Sequence, residues 1–268
     1  MDFELPEELR MLKKTVADFV DRELIPIERD SMDGPVMKSD VRAALERKAK
    51  DIGLWLLDVP REYGGQGLNL LGLAVVWEEM SRTIAMPPRG PLIFGPDVRP
   101  ILFTLPESQK EKYLLPVLRG EKKTAFAQSE PDAGADPGSM RTRAKTVDGG
   151  FLLNGTKTWI SNAPIADVLV VYAKTEPEAG AKGMTAFLIE KGMKGFSRGE
   201  PLDKLGMRGS NTYPLFFEDC EVPAENVLGG DGNGAKVLMS GLDYERAVLS
   251  GGPLGIMQAV MDNVIPYI

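Results

Sequence analysis

Apolar residues recur at helical spacing at both ends of this chain and at strand spacing in its middle. In "PEELRMLKKTVADFVDRELIP", Leu9, Leu12, Val16, Phe19 and Val20 fall on one face, and Pro26 closes the run. Ser39 stands where a cap belongs for a second helix through Val41, Leu45, Lys48 and Ile52, which Gly53 ends. The Gly-rich loop "PREYGGQGLN" precedes a third helical segment, "LLGLAVVWEEMSRTI". After the proline-rich "MPPRGPLIFGPDVRP", the stretch "PESQKEKYLLPVLRG" is helical again.

From about residue 121 the period changes to two. "TRAKTV" and "FLLNG" flank Asp148-Gly149-Gly150, and Asn154-Gly155 reads as a second tight turn before "TKTWIS". "DVLVVYAKT", "GMTAFLIEK" and "YPLFFEDCEVP" follow with no helix between them. Such a succession predicts an antiparallel sandwich or barrel rather than a doubly wound parallel sheet. After "NVLGGDGNG" helical spacing returns. The expected class is α+β. A helical amino-terminal domain spans 1–120, an antiparallel β-barrel or sandwich 121–230, and the first helix of a carboxy-terminal helical domain 231–268.

That last helix carries an acid in an unexpected place. Leu238, Leu242, Glu245 and Leu249 fall at i, i+4, i+7 and i+11, so Glu245 interrupts an apolar stripe. Two readings stand at this point: an acid at the stripe's edge that reaches water, or a functional buried carboxylate.

Composition narrows the chemistry. With 268 residues, the chain is long enough for one large or two modest domains. There are 32 Lys+Arg against 39 Asp+Glu, a net charge of −7, which argues against nucleic acid or anionic lipid as a partner. The single cysteine, Cys220, rules out an internal disulfide or a cysteine metal cluster and reads as a small buried hydrophobe. There is no histidine, which removes Ser-His and Cys-His nucleophiles and the usual zinc sites, and no metal is expected. Acid–base work at neutral pH falls to carboxylates, Lys, Tyr or a cofactor. The acidic start "MDFELPEELR" lacks the layout of a signal peptide, and no apolar run is long enough to span a bilayer; the expectation is a soluble intracellular protein.

"YGGQG" and "LGGDGNG" follow no strand and read as turns, and there is no Walker loop. "AFAQSEPDAGADPGSM" (125–140) is more informative. Ala133, Gly134 and Ala135 allow close backbone approach to a flat or charged ligand, and Ser129 adds a hydroxyl. On chemistry alone, an ordinary α-to-β crossover loop fits as well.

Three collinear stretches, "FAQSEPDAGAD", "NGTKTWISNAPIADVLVVYAKT" and "LGMRGSNT…FEDCEVPAENVLG", resemble the acyl-CoA dehydrogenase family. The resemblance runs from about residue 4 to the end, and the last third looks most like the isovaleryl-CoA branch. It implies FAD held against the β domain by Phe126, Ala127, Gln128, Ser129, Gly134 and Ala135, with Trp159, Ile160 and Ser161 as a second flavin segment. It implies Glu245 as the base that takes an α-proton while a β-hydride passes to flavin, converting a short branched acyl-CoA to the enoyl-CoA. Burial in the stripe is expected to raise the Glu245 pKa. Asp243, Tyr244 and Arg246, with Ala135, match positions that contact the CoA portion or shape the site, and Arg208 matches one that ties loops of the β domain.

By the same resemblance, an electron-transfer flavoprotein accepts the electrons and the full-length protein is a homo-oligomer. Its place is the bacterial cytoplasm or, after processing, the mitochondrial matrix. The sequence departs from the family at Ala135-Asp136, where Ser-Asp is usual, and at Lys236, where the isovaleryl type has an aromatic residue. It stops at "VIPYI", where the family continues with further helices; their loss is expected to expose the last helix's apolar face. The alternative is a non-catalytic fragment or acyl-CoA-binding module of the same fold.

Overall fold

The structure, a computed structural model, describes residues 4–33, 36–85, 92–207 and 210–268. It divides into two compact units: the chain up to Pro96 together with Asp243–Ile268, and Asp97–Leu242. Residues 97–120, helical in sequence pattern, thus belong by their contacts with the sheet.

The first unit is helical. It contains α1 (Glu7–Phe19), the two-residue strands β1 (Met32–Asp33) and β2 (Val36–Met37), α2 (Ser39–Asp51) and α3 (Leu70–Met80). Val16 and Phe19 carry the buried face of α1, and Val20 and Leu24 extend it through one π-turn. Leu45 and Ala49, not Lys48 or Ile52, are the buried positions of α2; a true i, i+4 pair faces the core. Nor does Ser39 cap that helix: Lys38 precedes its first turn without a side-chain bond. Asn69 does cap α3, its side-chain oxygen accepting the Gly72 N–H at 2.9 Å. Leu73, Val76 and Met80 of α3 join Phe19, Leu45 and Phe94 in the core, where Phe19 and Phe94 meet edge to face.

The end of the chain forms two helices instead of the single expected one: α6 (Gly234–Leu249), which enters this unit at Asp243, and α7 (Gly251–Val264). Gly251 and Gly255, one turn apart, lie directly on the backbone of α3. A Cβ at Gly251 would come within 2.2 Å of the Ala74 carbonyl oxygen, and one at Gly255 within 1.8 Å of that of Glu78. Both contacts are with backbone, so the helix would have to move. Gly255→Ala is therefore expected to cost about 1–3 kcal/mol, read as a lowered denaturant midpoint; an unchanged midpoint would show that the two helices are not in contact. On its other side α7 leaves Leu254, Met257, Val260 and Met261 about half exposed.

The second unit holds an eight-stranded sheet: β3 (Thr124–Ala127), β4 (Arg143–Val147), β5 (Gly150–Ser161), β6 (Val168–Lys174), β7 (Met184–Glu190), β8 (Phe196–Arg198), β9 (Thr212–Pro223) and β10 (Val227–Leu228). The order is β10-β7-β6-β4-β5-β9-β8, with β3 paired to β6. The sheet is mixed, since β3 and β4 run parallel to β6 while the other pairs are antiparallel. Short helical turns α4 (Glu107–Gln109) and α5 (Leu115–Leu118) precede it. β6 and β7 are buried on both faces, which is why "VLVVYA" and "MTAFLI" are continuous apolar runs. Cys220 is fully buried, and burial pushes its thiol up to about 11, in keeping with a packing role.

Asn154-Gly155 is not a turn. β5 runs straight through it, with a bulge between Leu153 and Gly155, because its pairing with β9 overrides the local dipeptide preference. The Asn154 side chain is drawn into that pairing: it donates to the Asp219 carboxylate and accepts the Asp219 N–H, both at 2.9 Å.

Candidate active site

β3 feeds the loop at 128–135. Strand alternation puts Ala125 and Ala127 in the core and turns Phe126 to the other face. There its ring meets Tyr172 edge to face at 5.3 Å, below the Arg99 guanidinium. Gln128 and Ser129 are half-buried, and the loop closes through paired main-chain bonds between Glu130 and Ala133. Gly134 and Ala135 are exposed, and a Cβ added at Gly134 would meet nothing within 4 Å. Among the described residues, nothing would crowd a side chain at Gly134. Asp136 turns back on its own loop, accepting the Gly138 N–H at 3.0 Å.

The second segment lies on β5, at another bulge between Lys157 and Ile160. Trp159 sits in the left-handed region at φ 60°, and the residue is 63% exposed. Both features are unfavourable for a large aromatic residue; backbone strain of this kind costs about 1–3 kcal/mol. Ile160 next to it is only 2% exposed and part of the sheet's core, which leaves its main chain alone to face a ligand. Ser161 is half-buried. The Thr158 N–H donates to the Ser129 carbonyl at 2.9 Å, so the bulge and the loop are joined directly. Ser129 and Trp159 are thereby brought to one place from positions 30 apart in the sequence.

Beneath this junction lies an ion pair. Lys157, fully buried, donates from Nζ to Glu130 Oε1 at 2.8 Å and to the Gln128 carbonyl at 3.1 Å. Glu130 also accepts the N–H groups of Arg141 at 2.5 Å and Thr142 at 3.0 Å. Burial acts to raise the Glu130 carboxyl, but Lys157 and these donors together hold it below the usual carboxylate value. Burial draws the Lys157 ammonium down to about 8, against the pull of Glu130. The sequence pattern did not single out either residue. A lysine on the inward parity of β5, in step with Phe151 and Leu153, was the available signal.

Glu245 belongs to the helical unit. It is half-buried, one residue on from Tyr244, which packs against that unit's core and donates to Asp58 Oδ2 at 3.3 Å. The expected stripe is rotated: Tyr244 and Val248, an i, i+4 pair, face the core, while Leu249 is 38% exposed. Glu245 therefore stands beside the buried face, not within it. Asp243 and Arg246 are exposed and lie 3.9 Å apart as an i, i+3 pair. Lys236 is exposed on the first turn of α6. Arg208 lies outside the described residues. Among the described residues no cluster of His, Cys, Asp or Glu could hold a metal ion, and no helix is long and apolar enough to cross a membrane.

Comparison with known proteins settles the family. Residues 6–121 match the acyl-CoA dehydrogenase N-terminal domain, and residues 125–220 match the acyl-CoA dehydrogenase middle domain. The chain belongs to the acyl-CoA dehydrogenase family. It is 50% identical over 232 residues to mitochondrial isovaleryl-CoA dehydrogenase of Arabidopsis thaliana, a match covering 82% of this chain and 56% of that protein. It is 46% identical over 270 residues to the Pongo abelii mitochondrial isovaleryl-CoA dehydrogenase, covering 98% of this chain and 63% of that one. The chain thus spans less than two thirds of these curated relatives. Among solved acyl-CoA dehydrogenase structures, a glutaryl-coenzyme A dehydrogenase in complex with glutaryl-CoA superposes with a TM-score of 0.81 at 35% identity. That match covers all of this chain and 68% of the other. The protein PigA, solved with FAD and proline, gives a TM-score of 0.85 at 27% identity, covering all of this chain and 70% of that one.

Proposed function

We propose that the chain binds FAD at the junction of the 128–135 loop and the Trp159 bulge, and that it takes part in α,β-dehydrogenation of a short branched acyl-CoA. The single observation that carries the flavin reading is Trp159: a large aromatic face held out to solvent on a strained bulge, joined through the Thr158–Ser129 bond to the loop whose Gly134 leaves open space. A planar ring would cover that face and occupy that space, so the residues present fit the group. A solved structural neighbour at TM-score 0.85 contains FAD, which supports the same reading. The branched substrate is supported by 46–50% identity to isovaleryl-CoA dehydrogenases.

FAD, when bound, supplies the hydride acceptor. The chain's own residues do the rest. Trp159 offers a stacking face, the hydroxyls of Ser129 and Ser161 offer hydrogen bonds at the ring's edge, and the Thr158–Ser129 bond fixes their spacing. Glu245 is the base: its carboxylate takes the α-proton of the thioester and holds it as the neutral acid. Tyr244, bonded to Asp58, anchors the turn of α6 that carries Glu245. Asp243 and Arg246, exposed on the same helix, are the residues proposed to meet the polar CoA portion.

The test is product analysis. FAD-loaded protein incubated with isovaleryl-CoA and a one-electron dye acceptor is expected to yield a product two mass units lighter, with butyryl-CoA a poorer substrate. Bound isovaleryl-CoA returned unchanged would favour an acyl-CoA-binding module. Peroxide formed without an acceptor would mark an oxidase instead.

A further inference from the structure

The Glu130–Lys157 pair joins three stretches of chain at one point. Lys157 is the β5 residue two before Trp159, Glu130 is the loop residue next to Ser129, and the N–H groups that Glu130 accepts belong to residues 141 and 142, just before β4. Lys157 also donates to the Gln128 carbonyl, on the other side of Ser129. Ser129 is therefore flanked in sequence by two groups held by one buried ammonium, and its own carbonyl is held by the residue after that lysine. The Arg141 guanidinium is turned away from the pair, bonded to Asp132 at 2.9 Å on the exposed side.

A buried ion pair contributes little net stability compared with an apolar replacement, but it fixes geometry. Resting on the flavin reading above, we propose that the Glu130–Lys157 pair is a positioning device that sets the Ser129 loop against the Trp159 bulge and so forms the flavin-facing surface. Neither side chain reaches that surface itself, as both are buried. They act through Gln128, Ser129 and Thr158.

The test uses the full chain in three forms: Glu130→Gln, Lys157→Met, and the double variant, which leaves no charge in the interior. Two readouts are taken. The first needs no flavin: hydrogen exchange at the Thr158 amide, with the amides of Val170 and Leu188 in the β6–β7 ladder as internal controls. The second is FAD affinity, followed by quenching of tryptophan fluorescence. In the double variant, which leaves no unpaired charge, Thr158 is expected to exchange about tenfold faster while the controls stay within about twofold, because the loss is local; the single variants, each leaving one partner uncompensated, are expected to lower the controls' protection as well. FAD affinity is expected to fall about tenfold, as a mispositioned site requires. In the double variant, loss of protection spread evenly over the sheet, or an unchanged Thr158, overturns the proposal, as does a loosened Thr158 with undiminished FAD affinity. A parent chain that takes up no FAD overturns the flavin reading; the Thr158 exchange, measured without flavin, still reports separately on whether the pair positions the loop.

Discussion

Glu245→Gln in the FAD-loaded protein is expected to lower turnover by about 10²–10⁴-fold, the range for loss of a positioned general base. The amide is nearly isosteric with the carboxylate but cannot take up the α-proton. Since Tyr244 and Val248 of α6 make the core contacts, the substitution is expected to leave the fold and the acyl-CoA affinity nearly unchanged. The loss should thus appear in kcat and not in KM, which steady-state kinetics with isovaleryl-CoA would show. A Glu245→Gln protein that turns over at near the parent rate would remove the base from this helix. Glu245→Asp, one methylene shorter, is expected to fall between the two.

Lys157→Met is expected to destabilise the sheet unit by about 3–5 kcal/mol, because it leaves the Glu130 carboxylate buried without its cation. Adding Glu130→Leu to it should recover most of that loss, since the pair as a whole is replaced by apolar groups; chemical denaturation of the two variants gives the comparison. The pair also leaves a signature in pH. Glu130 is held below the ordinary carboxylate value of 4.5, so its contribution is complete above that pH and is lost as pH falls through the lowered folded-state pKa. Lys157 works in the opposite sense. Its pKa falls from 10.5 unfolded to about 8 folded, so the unfolded chain binds the extra proton between those values and stability rises with pH across that window. Denaturation midpoints of the parent against Glu130→Gln from pH 3 to 10 would reveal both limbs. An acid limb unchanged in Glu130→Gln would show that the carboxylate is not held as described.

The helices were legible because their apolar positions repeat at 3.6 residues: Val16, Phe19 and Leu45 are buried as that period requires. Side-chain size is a poor guide to which face is buried in two places. Lys48 was placed on the inner face of α2 where its small neighbour Ala49 lies. In α6, Leu249 suggested a stripe that the Tyr244–Val248 pair in fact provides. Asn154-Gly155 is a strong local turn signal, but a twelve-residue strand paired along most of its length with β9 outweighs it.

For the site, the motif residues could be found along the chain, but not what their side chains do. Nothing in "TKTWIS" indicates a bulge, yet the bulge is what turns Trp159 outward and sends Ile160 into the core. Glu130 and Lys157 lie 27 residues apart, and the inward parity of Lys157 on β5 does not name its partner until the fold brings the two together in the interior. Helical and strand periodicity reports one element at a time. A bond between a loop and a strand has no period to read.

The account rests on flavin bound beside Trp159 and reduced by an acyl-CoA. The most direct measurement is the visible absorption spectrum of the FAD-reconstituted protein, recorded anaerobically before and after addition of isovaleryl-CoA. The account predicts flavin bands that bleach on addition, with bleaching slowed by the Glu245→Gln substitution and flavin uptake weakened by Trp159→Ala. Flavin bands that persist unchanged in the presence of excess isovaleryl-CoA would contradict it.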